Sequence, residues 1–253
     1  MFEVGLNLKC LSKYLKDHKT IVETCSLLKD MGYSYLEFDG TSFDVIKIQK
    51  IIDESKINIC LTNISIDKFL ARPLAFLKEH GFIGCHNIGL SSMSLELIKD
   101  EKKCKNIIKE LNDIASIAIN NNFKLFYHFS LFDFLQFKDG TVIIDYILEN
   151  APLINFVFDP YFVHLAGYNV NDFIVKLKNR IDCFYLKNYQ ISLENGNVSI
   201  NPASLSNGTF NIKEMLSLAK KTGAKYFFVV NENNQVSLHD IQKNIESFRQ
   251  IFK

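Results

Sequence analysis

Residues 154–188 read INFVFDPYFVHLAGYNVNDFIVKLKNRIDCFYLKN. The apolar run INFVF stops at a lone carboxylate, Asp159. A polar stretch with helical spacing follows, and then a second apolar run, IDCFYL, that closes on Lys187 and Asn188. Strand, helix and strand in roughly 30 residues make a βαβ unit. Both strand runs are continuously apolar rather than alternating, as parallel strands buried on both faces are. Two successive strands of one sheet therefore end in polar groups at the same edge.

The same pattern repeats in both directions. Strand-like runs precede the stretch at 2–8 (FEVGLNL), 34–40 (SYLEFDG), 57–64 (INICLTNI), 85–92 (CHNIGLSS) and 124–130 (KLFYHFS), and one follows at 225–232 (KYFFVVNE). With 154–160 and 181–188 the total is eight. Helical patterns separate them. In TIVETCSLLKDMG, Ile21, Val22, Cys25, Leu27 and Leu28 are expected to share a face and Gly32 supplies the stop. Leu97, Ile98, Ile107, Ile108, Leu111, Ile114 and Ile117 predict a long helical segment over 93–122. Further helices are expected at 211–223 and at 237–252, the last with Ser237 or Asp240 near its start. The mixed charges of 99–110 read as a solvated helix face. Eight βα units in 253 residues predict a single-domain (β/α)8 TIM barrel over 1–253. The alternative is a doubly wound open sheet. It would usually carry a glycine-rich phosphate loop after the first strand, and GLNLKCLSKYL has none, so no nucleotide cofactor is expected.

Composition narrows the function. Lys plus Arg number 29 against 28 Asp plus Glu, a net charge of +1, without the basic excess of a nucleic-acid binder. The six cysteines, at 10, 25, 60, 85, 104 and 183, include no C-x-x-C pair and sit largely in apolar runs. The N-terminal run is strand-like from its start, without a basic segment and long apolar stretch, and no apolar run is long enough for a bilayer. A cytoplasmic protein with no membrane partner is expected. A homo-oligomer stays open.

In a barrel of this kind the site lies at the C-terminal strand ends. Those ends carry Glu37 and Asp39, Asn63, His128 with Ser130 and Asp133 beyond, Asp159 with His164 in its loop, Tyr185, Lys187 and Asn188, and Asn231 and Glu232. Polar groups on apolar strands cost free energy unless they are paired or used. Asp159, directly after INFVF, is the hardest to explain structurally; Lys187 has the ordinary reading of a side chain reaching to solvent, and Glu232 sits one residue past the inward-facing position if the strand is not shifted.

FDPYFVHLAGYNVNDFIVKLKNRIDCFYLKN resembles the sugar phosphate isomerase/epimerase family, the xylose isomerase-like TIM barrels. That family often reads Asp-x-Tyr-Trp-x-x-x-Ala-Gly-x-Asp after strand six and, past a helix and an Arg, His-x-Lys-Asp on strand seven. Asp159, Tyr161, Phe162, Ala166, Gly167, Arg180 and Lys187 fall in step. GYSYLEFDG resembles its strand-two Gly-Tyr-x-x-x-Glu-Phe, FYHFSLFDF its Tyr-His-Asn-His-x-x-Glu-Phe, and 202–234 its segment leading to Val-Glu-x-Asp on strand eight, so the resemblance covers essentially the whole chain. It implies a divalent metal (Mn, Zn, Co or Mg) held by Asp159, His128 and Glu232, and proton transfer beside a sugar carbonyl. Glu37, His128, Lys187 and Glu232 would be catalytic; His164, Tyr185, Asn188 and Asn231 would bind a small sugar or polyol. The chain departs from the pattern where the strand-seven histidine is Tyr185, its aspartate Asn188, the strand-eight glutamate Asn231, the second strand-five histidine Ser130, and the glutamate beyond it Asp133. Tyrosine and asparagine are poor metal ligands. A metal-free barrel that binds a sugar is therefore the second reading, and an abasic-site endonuclease on the same barrel ranks well below both.

Overall fold

The computed structural model describes residues 3–39, 42–194, 196–231 and 236–251. Ten strands are present among them: β1 (Gly5–Asn7), β2 (Tyr35–Phe38), β3 (Asn58–Ile64), β4 (Asn87–Ser91), β5 (Lys124–His128), β6 (Asn155–Phe158), β7 (Ile181–Leu186), β8 (Asn188–Glu194), β9 (Asn197–Ala203) and β10 (Tyr226–Val229). β1 to β7 and β10 close an all-parallel barrel in which β1 lies between β2 and β10. Helices return the chain over the outside between strands. The eight-strand barrel expected from periodicity is the fold.

Period-two alternation sorts each strand. Tyr35, Leu61, Phe126, Val157, Cys183, Tyr185 and Phe228 form the inner cluster. β1 and β4 contribute glycines to this packing because there is no room for more. A Cβ on Gly5 would lie 2.4 Å from the Tyr35 ring, and one on Gly89 would lie 2.1 Å from the Thr62 carbonyl oxygen. Two residues further along, the same faces carry Asn7, Glu37, Asn63, Ser91, His128 and Asp159. The closed floor is apolar and the layer above it is polar. Register shifts fall at Leu36/Glu37 and at Phe156/Val157, beside two of these polar positions.

The outer faces of the strands pack on helices. The helix Glu101–Asn120 buries Cys104, Ile107, Ile108, Leu111, Ile114, Ala115 and Ala118. Each large aliphatic side chain so covered contributes about 1.5–3 kcal/mol. The long segment expected over 93–122 is two helices, Leu95–Lys99 and Glu101–Asn120. Asp100 leaves helical backbone between them, and its carboxylate accepts the Lys103 N–H to start the second. Gly32 ends the first long helix in the left-handed region, at φ 100°, as its position suggests. Ser237 and Asp240 together cap the helix Leu238–Ile251, each accepting the other's backbone N–H.

One element departs from the expected pattern. The chain leaves β7 and runs straight into an antiparallel hairpin, β8 with β9, in continuous register from Asn188↔Ala203 to Glu194↔Asn197. Its Ile191, Leu193, Val198 and Ile200 are exposed. Among the described residues no helix is long and apolar enough to cross a membrane.

Candidate functional site

Glu37 ends β2 inside the barrel and is 1% exposed. The Tyr185 hydroxyl donates to its Oε1 at 2.6 Å, and the Asn7 amide donates to its Oε2 at 2.8 Å. Burial, with Asp39 nearby, pushes its pKa up to about 8, against the opposing pull of these two hydrogen bonds and of Lys9. Glu37 therefore exchanges a proton close to neutral pH. Burial drives the Tyr185 phenol well above its ordinary value, so it stays a donor.

Asp159 follows β6 and is fully buried. Its Oδ1 accepts the Tyr161 N–H at 2.9 Å, which begins the short helix Pro160–Leu165. Its Oδ2 lies 2.6 Å from Lys187 Nζ and 3.6 Å from His128 Nε2. Burial acts to raise the Asp159 pKa, but Lys187 and His128 together outweigh it and hold the carboxyl below the usual range. The Lys187 ammonium lies 4.8 Å from the ring centres of both Tyr161 and Phe162. His128 meets the Tyr185 ring edge-on at 4.8 Å, and its Nε2 is buried without a hydrogen-bond partner. Tyr185 thus joins two halves: its hydroxyl serves Glu37 and its ring faces His128.

Two cavities open at this end of the barrel. The larger, about 410 Å³, is lined by Asn7, Lys9, Asp39, Asn63, Ser91, His128, Tyr185 and Asn231 among others. The smaller, about 110 Å³, lies between Tyr161, Lys187, Tyr189 and the base of the hairpin. Val230 and Asn231 line both.

Glu37, His128, Tyr185, Lys187, Asp159 and Asn231 thus come together around one mouth. Asn188 lines the smaller cavity. Its amide donates to the Leu205 and Phe210 carbonyls and accepts the Phe210 N–H, tying down the loop after the hairpin. His164 is exposed on the short helix, against the Tyr189 and Phe210 rings, and lines neither cavity. Glu232 lies outside the described residues. Asp133 is turned away from the mouth, where it accepts from the Tyr127 hydroxyl at 2.5 Å and the Ser130 N–H at 2.7 Å. The sequence reading missed Asn7, Cys10 and Ser91 on the cavity wall. For Asn7 and Ser91 the signal was available: each stands two residues after a glycine that faces inward.

A divalent metal does not fit the described donors. No group of three or more His, Cys, Asp or Glu side chains among the described residues is placed to hold one. Asp159 is closed on Lys187, Asp133 faces away, and the other departures from the pattern, Ser130, Tyr185, Asn188 and Asn231, are neutral.

No protein-family model and no curated protein matches the chain. Solved structures do match. A sugar phosphate isomerase/epimerase from Parabacteroides distasonis ATCC 8503 superposes with a TM-score of 0.78 at 17% identity, over 99% of this chain and 98% of that one. A xylose isomerase-like TIM barrel protein from Mycobacterium smegmatis, in complex with magnesium, gives 0.72 at 13%, over 99% and 96%. The IolI protein with a bound zinc atom gives 0.68 at 13%, over 99% and 98%. The chain has the fold these proteins share.

Proposed function

We propose that the chain interconverts small sugars or polyols by moving a proton on a carbon beside a carbonyl, as an isomerase or epimerase. The reading rests above all on Glu37, a buried carboxyl whose pKa is pushed up to about 8 and which sits directly behind Tyr185 and Asn7 of the cavity wall, hydrogen-bonded to both. A base with a pKa near the working pH suits abstraction of such a proton. In its ionised form Glu37 would take the carbon-bound proton, and the carbonyl oxygen would gain charge as the enediol forms. His128, with Nε2 buried, 3.6 Å from Asp159 and without a hydrogen-bond partner, would supply a proton to that oxygen or take one from the neighbouring hydroxyl. Return of the proton to the neighbouring carbon gives isomerisation; epimerisation requires a second acid to deliver a proton to the opposite face of the same carbon. Lys187 would fix Asp159 and the His128 side of the mouth. Tyr185 and Asn231 would contact the substrate, and Asn188 would hold the loop. No step is assigned to a metal, and none to Glu232.

The second reading is a barrel that binds a sugar without turning it over. The neutral Tyr185 and Asn231 favour it. Incubation with aldoses and ketoses in D₂O, followed by NMR, separates the two. Deuterium at the carbon beside the carbonyl, abolished in Glu37→Gln, supports catalysis. Binding without exchange supports the second reading and removes the first.

A further inference from the structure

The small cavity is a built site with its own chemistry. The Tyr189 side chain is 5% exposed and its hydroxyl has no hydrogen-bond partner among the described residues. Its ring is held edge-on by Tyr161 at 5.5 Å and by Phe210 at 4.9 Å, so the phenol is fixed. Such a buried, unpartnered group points to a bound oxygen, from water or from a ligand. Val230 and Asn231 line both cavities, so the two lie side by side at the mouth. A ligand whose reacting end sits against Tyr185 and His128 would extend its remaining carbons toward Tyr189.

Charge decides what that extension carries. Lys187 is the cation of the small cavity, and Asp159 Oδ2 already matches it at 2.6 Å. Around the larger cavity, exposed Lys9 faces the carboxyls of Asp39 and Glu37. Among the described residues, the other polar groups on both walls are amides, hydroxyls, three phenols, a thiol and an imidazole. A phosphate dianion placed here would meet no uncompensated buried cation, and burial of an unmatched charge is costly. A hydroxyl meets donors and acceptors of its own kind. We infer that the small cavity, at Tyr189, Lys187 and Asn201, is a subsite for the hydroxylated tail of a neutral sugar, and that the ligand of this barrel is unphosphorylated.

The inference rests on the sugar reading above and specifies its substrate class. The test is calorimetric binding to the full chain of D-fructose and D-ribulose, of their terminal phosphate esters, and of glycerol as a short probe. The expected result is binding of the free sugars and roughly tenfold or greater weakening for the esters. Tyr189→Phe, which keeps the ring contacts, should weaken the free sugars by about tenfold, the loss of one hydrogen bond, and leave glycerol unchanged. Tighter binding of the esters overturns the inference and leaves the sugar reading standing. An unchanged affinity of the free sugars in Tyr189→Phe also overturns it, since the cavity then holds water only. Absence of binding by any of these probes overturns both.

Discussion

At the scale of single residues, Glu37 sets the behaviour of the mouth. Its carboxyl binds a proton more tightly in the folded chain, where the pKa is about 8, than in the unfolded chain, near 4.5. Between those values the native state holds the extra proton, so stability falls as pH rises across the window and is level on either side. Glu37→Gln removes the titration. Chemical denaturation at pH 5 and pH 8 should show wild type losing a few kcal/mol between them and the variant losing far less. In the proposed reaction the ionised form works, so the rate should climb toward pH 8, and Glu37→Gln should lower it by about 10²–10⁴-fold. Asp159 makes a second case. With its outer oxygen on Lys187, elemental analysis after incubation with Mn or Zn should find well under one ion per chain; a stoichiometric ion lost in Asp159→Asn would contradict the geometry. Most of this layer was readable in advance, because a polar residue that breaks an apolar strand near its end has few structural excuses. The partners of Asp133 and Asn188 were not legible, because sequence gives a residue's position on the chain but not the group that claims its side chain.

At the scale of elements, Arg180 shows how a motif residue serves the architecture. It sits just before β7, and its three nitrogens donate to the carbonyls of Ile154, Leu148 and Ala151, the last two at the end of the helix Ile143–Asn150. A lysine cannot match this planar fork. Arg180→Lys should cost about 2 kcal/mol in urea denaturation, with little change in ligand affinity. Asp133 works similarly inside the loop after β5. Asp133→Ala leaves the buried Tyr127 O–H without its acceptor, while the oxygen still accepts the Met93 N–H, and should cost about 1–3 kcal/mol, read as a lower melting temperature. The strands and helices were legible from periodicity. The β8–β9 hairpin carries only a local signal: Ile, Leu and Val alternate with polar residues around Asn195-Gly196, a tight-turn dipeptide, over a stretch too polar to suggest a barrel strand.

At the scale of the whole molecule, closure depends on close approaches between strands. Gly89→Ala places a methyl against the Thr62 carbonyl, backbone that cannot move without shifting β3 against β4. Circular dichroism should show that variant melting well below wild type or failing to fold, whereas Leu193→Ser on the exposed hairpin should stay within about 0.5 kcal/mol of wild type. The barrel could be inferred from the repeat alone, because eight buried parallel strands have few ways to cover both faces. Which cations and carboxyls pair at the mouth depends on distances that no spacing encodes.

The cysteines extend this to time. All six are free, five of them buried, with Cys60 half-buried. Cys25, Cys104 and Cys183 are sealed behind different parts of the barrel wall, and burial drives the thiols of Cys25 and Cys104 up to about 12 and about 11. An alkylating reagent therefore reacts with them only in molecules that have opened. The chain carries its own stopwatch for unfolding, with sulfur atoms as the hands. Mass spectrometry during labelling should record an early adduct at Cys60, a pause, and then the sealed thiols together, at a rate set by opening of the barrel as a unit.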